Sequence, residues 1–141
     1  MQEIEELNHS ILDSLAAQVA VLDSEGNIIA VNAAWRNFCS ENSQEGQRAS
    51  AELGENYLKI CESATGADSE EAKDMYLGLS SVLRQESLNY CIEYPCHSPT
   101  EKRWFRAYAT KMPFMNSHYF IVAHLNITEE VLNGQITNVR V

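Results

Sequence analysis

The stretch Val19-Ala20-Val21-Leu22-Asp23-Ser24-Glu25-Gly26-Asn27-Ile28-Ile29-Ala30-Val31-Asn32 reads as a hairpin that runs into a helix cap. Val19 to Leu22 form a first apolar strand and Ile28 to Val31 a second. Between them, Asp23-Ser24-Glu25-Gly26-Asn27 is dense in residues that bond their own backbone or tolerate positive φ, the chemistry of a turn. Asn32 then stands where a side-chain oxygen caps a helix, just before the apolar pair Trp35 and Phe38.

Upstream of the hairpin, residues 2–15 read as an amphipathic helix. Ile4, Leu7, Ile11 and Leu15 recur at steps of three and four. Glu3, Glu5 and Glu6 sit at its start, where the helix dipole favours anions. The stripe has two uses open to it: packing on its own domain, or a short coiled-coil-like seam to a second copy.

Downstream, residues 41–55 are polar and loop-like, with Gly46 and Gly54. Residues 56–64 form a short helix with Tyr57, Leu58, Ile60 and Cys61 on its apolar side, and Thr65-Gly66-Ala67-Asp68-Ser69 breaks it. A longer helix over about 70–85 carries the stripe Met75, Leu79, Val82 and Leu83. The last third is β: Leu88 to Tyr94, Trp104 to Met112 and Tyr119 to Ile127, with a turn-rich link from Pro95 to Lys102. Helix, two strands, several helices and three strands make an α+β chain. Its five strands form one antiparallel sheet, with the intervening helices covering one face. The expected division is an N-terminal amphipathic or dimerisation helix over 1–16, the domain proper over 17–128, and a polar linker or tail over 129–141.

The chain's 141 residues match one domain, and 45% apolar with 21% charged residues is ordinary globular composition. A net charge of −10 repels phosphate backbones and anionic lipid, which argues against nucleic-acid binding and membrane contact. The basic stretch Lys102, Arg103, Arg106 and Lys111 reads as a solvated strand edge rather than an anion site. The apolar run Ile11–Leu22 is interrupted by Asp13, Ser14 and Gln18 and is too short to span a bilayer, and the first residues are acidic. A cytoplasmic location follows as an expectation, with Cys39, Cys61, Cys91 and Cys96 as free thiols.

The element order and three local motifs resemble the PAS family. Residues 19–32 look like its opening hairpin and helix-capping Asn. Arg103-Trp104-Phe105 looks like the start of its fourth strand. Asn126-Ile127-Thr128-Glu129 is similar to its closing Asp-Ile-Thr-Glu motif, with Asn in place of Asp. The resemblance covers roughly residues 10 to 130. It implies a signalling module whose helix-covered sheet face holds a ligand or cofactor. Asn126 can still cap a following helix but carries no charge, so charge-dependent coupling to that helix is not expected.

Strand parity divides the side chains between the sheet faces. On the fourth strand Phe105, Ala107 and Ala109 share one face, and small side chains opposite helices leave volume for a ligand. On the fifth strand Phe120, Val122 and His124 share a face. Parity does not choose between the faces there, because both are apolar. The resemblance places His124 at an inward position two residues before the closing motif. The expected ligand-binding set is therefore His124, Val122, Phe120, Phe105, Ala107 and Ala109, with Met75 and Leu79 approaching from the long helix. His124 is expected to be the one strong polar handle in an apolar lining, held neutral by burial. A core histidine satisfied by one hydrogen bond is the competing reading, with metal or haem ligation further behind.

The family's cofactor signatures mostly fail to match. Gly54-Glu55-Asn56 is followed by Tyr57, where light-sensing flavin relatives carry a reactive Cys. Phe105 stands where those relatives place a flavin-binding amide, and residues 70–85 lack the axial His of oxygen-sensing haem relatives. No resident cofactor is expected, flavin and haem included, and no metal: Cys91, Cys96 and His97 lack zinc-site spacing. No phosphate loop or Gly-x-Ser-x-Gly nucleophile motif is present. The chain thus reads as a non-catalytic sensory module of a two-component or similar system. It would bind a small apolar or aromatic molecule, dimerise through its N-terminal helix and regulate an effector such as a histidine kinase, diguanylate cyclase or chemoreceptor. A ligand-free dimerisation domain is the alternative, and a small α+β enzyme a more distant one.

Overall fold

The computed structural model describes residues 2–42, 52–63 and 69–137. Most of the polar loop around Gly46, the break at 65–68 and the end of the tail lie outside the described residues. In chain order the elements are α1 (Gln2–Ser14), β1 (Gln18–Leu22), β2 (Ile28–Val31), α2 (Ala33–Asn42), α3 (Tyr57–Ser63), α4 (Ser69–Leu83), β3 (Asn89–Pro95), β4 (Trp104–Phe114), β5 (Ser117–Asn126) and α5 (Thr128–Leu132).

The five strands form one antiparallel sheet in the order β2-β1-β5-β4-β3. The last strand pairs with the first, so the hairpin at 19–31 becomes one side of the sheet. Gln18 stands opposite His124, His124 opposite Ala107, and Val122 opposite Ala109. Paired residues share a face. Ala20, Leu22, Phe105, Ala107, Ala109, Phe120 and Val122 accordingly bury together against Trp35, Tyr57, Met75, Leu79 and Val82 of the three intervening helices. The opposite face carries half-buried Ile121 and Ala123 beside exposed Tyr108 and Leu125.

Two expectations are revised and one open choice is narrowed. β4 lies between β5 and β3, so its basic residues do not form a solvated edge. Arg106 is bonded through Nε and Nη2 to the half-buried Glu93 of β3, a carboxylate that holds the guanidinium above its ordinary range. The α1 stripe does not pack on its own domain: Ile4, Leu7, Ile11 and Leu15 are 58%, 59%, 52% and 46% exposed. The β4–β5 hairpin is longer than the apolar pattern indicates, because Met115 takes the positive-φ turn position (φ 57°) without a glycine to announce it.

Candidate functional site

The hairpin turn at 23–27 positions the start of α3. Asn56 caps that helix by accepting the Lys59 N–H at 2.9 Å, and its Nδ2 donates to the Glu25 carbonyl (2.9 Å) and to Asn27 Oδ1 (3.0 Å). The Tyr57 N–H donates to the Gly26 carbonyl at 2.9 Å. Gly26 has φ 92°, and a Cβ there would lie 3.3 Å from Leu58 Cβ, so the close approach of turn and helix needs glycine. These bonds fix the first residue of α3, and Tyr57 turns its ring inward.

His124 sits on the inner face of β5 between two phenols. Its Nε2 lies 2.9 Å from the Tyr57 hydroxyl and its Nδ1 2.7 Å from the Tyr94 hydroxyl. All three residues are buried, at 6–7% exposure. In a neutral imidazole one nitrogen donates and the other accepts, so one tyrosine donates to the ring and the other receives from it. The set spans α3, β5 and β3.

Aromatic rings continue outward from this bridge. The Trp35 ring lies 5.6 Å from His124 and 5.7 Å from Tyr57. Tyr94 stacks on Phe105 at 6.0 Å, and Phe38 meets Phe105 edge-on at 5.6 Å. At the margin the half-buried Arg103 guanidinium lies over Phe38 and Phe105, 5.5 and 5.9 Å from their centroids, and its Nε donates to the Cys96 carbonyl.

The structure places His124, Val122, Phe120, Phe105, Ala107, Ala109, Met75 and Leu79 together in the buried layer beneath the helices. It also changes the chemistry expected there. His124 is not the one polar handle in that layer, because two phenol hydroxyls accompany it and engage both ring nitrogens. Sequence reasoning missed Tyr57 and Tyr94 as polar members. The sequence pattern places Tyr57 only on an apolar helix face and Tyr94 only within a strand. The alternation Tyr90, Ile92, Tyr94 on the strand that pairs with Phe105, Ala107 and Ala109 was the available signal.

No known family model matches the chain. A crystal structure of a PAS domain from a two-component sensor histidine kinase superposes with TM-score 0.54 at 17% identity, covering 89% of this chain and 99% of that one. The PAS domain of Bordetella pertussis BvgS superposes with TM-score 0.59 at 17% identity, covering 94% of each chain. The fold is that of a PAS domain. A third structure, the phage VqmA–DPO complex, superposes with TM-score 0.60 at 12% identity over 95% of this chain and 57% of that one. At the sequence level the chain is 37% identical over 124 residues to an uncharacterized 104.1 kDa protein encoded in the hypE 3′ region of Rhodobacter capsulatus. That match covers 87% of this chain and 13% of the relative's length.

In the closing motif the residue at the N-cap of α5 is Ile127, which makes no side-chain cap bond, and Asn126, expected as a cap, bonds Thr128 instead. Asn126 Oδ1 accepts the Thr128 N–H at 3.0 Å and the Thr128 hydroxyl at 2.6 Å, while Thr128 Oγ1 accepts the Trp104 N–H at 2.9 Å. These bonds tie the start of α5 to the start of β4. Among the described residues no helix is long and apolar enough to cross a membrane.

Proposed function

We propose that this PAS domain is a non-catalytic, cytoplasmic signal-sensing module that binds a small apolar or aromatic molecule beneath its helices, dimerises through α1 and regulates an effector such as a histidine kinase, diguanylate cyclase or chemoreceptor. The observation that carries the reading is the buried Tyr57–His124–Tyr94 bridge set among Trp35, Phe105, Ala107 and Ala109. A polar network in an apolar layer is costly unless satisfied, and a ligand with one polar end and an apolar body fits such a layer. The polar end would contact a phenol edge of the bridge, and the body would lie over the two alanines. Tyr57 at the flavin-cysteine position, bonded to His124, supports a ligand other than covalently bound flavin.

Native mass spectrometry of the purified chain, paired with an absorption spectrum, tests this. A near-stoichiometric co-purifying organic mass is expected, without a Soret or flavin band. Ala107→Leu should lose that mass while keeping the wild-type far-UV circular dichroism, at an overpacking cost of roughly 1–3 kcal/mol. An unliganded wild type, or a mass that Ala107→Leu and Ala109→Leu both retain, would overturn the ligand reading. The exposed α1 stripe favours the second reading in that event, a ligand-free dimerisation module.

A further inference from the structure

Asn32 is 1% exposed, and its side chain makes four hydrogen bonds. Oδ1 accepts the N–H of Val19 at 2.9 Å and of Trp35 at 3.0 Å. Nδ2 donates to the carbonyls of Leu12 at 2.9 Å and Ala17 at 2.8 Å. One side chain thus joins the last turn of α1, the link that follows it, the first buried residue of β1 and the first turn of α2. A second tie runs beside it. Asp13 Oδ1 accepts the Ala33 N–H at 2.8 Å and lies 3.4 Å from the Arg36 guanidinium.

Trp35, whose N–H is held by Asn32, lays its ring against His124 and Tyr57. Phe38, one turn further, meets Phe105. α2 is therefore fastened to α1 at its first turn and rests on the aromatic cluster with its inner face. A buried amide that loses its acceptors pays the full desolvation of its donors. A shift of α2 over the cluster must accordingly carry Leu12 and Ala17 with it, or leave the Asn32 amide unsatisfied.

We propose that Asn32 and Trp35 are positioning residues that couple the His124 cluster to α1, so that a change in the packing of Trp35 alters the stability of the last turn of α1. The biological input rests on the sensing reading above, but the coupling is a property of the chain and is tested without ligand. Coupling of this kind is reciprocal and is read as a free-energy cycle.

Amide hydrogen exchange on the full chain provides the measurement. His124→Gln removes the ring on which Trp35 rests and replaces the imidazole between the two tyrosines, without changing any residue of α2 or the bonds of Asn32. Exchange at residues 11–17 should rise roughly tenfold beyond any change in global unfolding, which denaturant titration reports separately. Asn32→Asp keeps both acceptor bonds and loses both donations to the α1 side. In that background His124→Gln should add much less at 11–17, because only the Asp13 tie remains. If Asn32→Asp does not fold, Asp13→Ala cuts the parallel tie and should clearly diminish the same response. An unchanged 11–17 segment in His124→Gln, or an equal response in the intact and severed backgrounds, overturns the coupling. Those outcomes are independent of whether a ligand co-purifies, so the two proposals fail separately.

Discussion

At Gly78 the absence of one methyl group sets how closely α4 approaches the sheet. A Cβ there would fall 2.4 Å from ring atoms of Tyr90, inside any real contact distance. Alanine is worth about 1 kcal/mol over glycine in a helix interior, but overpacking a closed site costs roughly 1–3 kcal/mol. Because the clash is with the body of a ring rather than a flexible tip, Gly78→Ala should be net destabilising. Urea denaturation should show a lower midpoint for it, and adding Tyr90→Leu should recover most of the loss. A midpoint at or above wild type would mean that the ring moves freely and the approach is not fixed. The same scale shows where sequence reading stops. Parity groups His124 with Phe120 and Val122 and the family resemblance puts that face inside, yet its two partners lie 67 and 30 residues away in the chain, on α3 and β3. Periodicity assigns a face to each residue but not which phenol meets which nitrogen, so the bridge emerges only from the fold.

Among the elements, the first hairpin was the most legible, because its turn is written in local chemistry. Asp23 accepts the N–H groups of Glu25 (3.0 Å) and Asn27 (2.9 Å) and the Asn27 amide (3.1 Å). Burial pushes its carboxyl up, but the bonds from the Asn27 backbone and side chain, and from Glu25 and Gly26, outweigh it and hold it below the usual range. A folded-state value below the unfolded one adds stability above about pH 4, the unfolded range of Asp, and that stability is lost as pH falls through the folded value. Asp23→Asn should therefore be less stable than wild type at pH 6, with the gap closing toward pH 3. Urea midpoints at both pH values check this, and a gap that stays constant would remove the turn carboxylate as the cause. The turn also braces Asn56 and Tyr57, so the hairpin positions the site as well as starting the sheet. The β4–β5 hairpin was less legible for a converse reason: Pro113-Phe114-Met115-Asn116 lacks the glycine that marks such turns, and Met115 takes the strained position.

Over the whole molecule, the unburied stripe of α1 and the acidic charge pull in opposite directions. A helix of 13 residues is marginal on its own in water. Here its C-terminal end is already held by Asn32, which bonds Leu12 and Ala17, so less helix ordering remains to be offset on association. Ile4, Leu7, Ile11 and Leu15 are exposed, and in the proposed dimer they would form the apolar seam between copies. Each copy carries a formal charge of −10, and bringing two together is opposed by long-range repulsion that salt screens. A dimer built on α1 should accordingly tighten as salt rises from about 0.01 M to 0.15 M, a range over which the screening length falls from about 30 to 8 Å. An assembly held mainly by ion pairs would loosen instead. Leu7→Asp with Ile11→Asp adds charge at the centre of the seam and removes its apolar contacts. Sedimentation should find that double variant monomeric where the wild type is dimeric, with unchanged circular dichroism outside the α1 contribution. An oligomer that survives both substitutions, or weakens with added salt, would place the contact on another surface and leave the stripe of α1 without the role given to it.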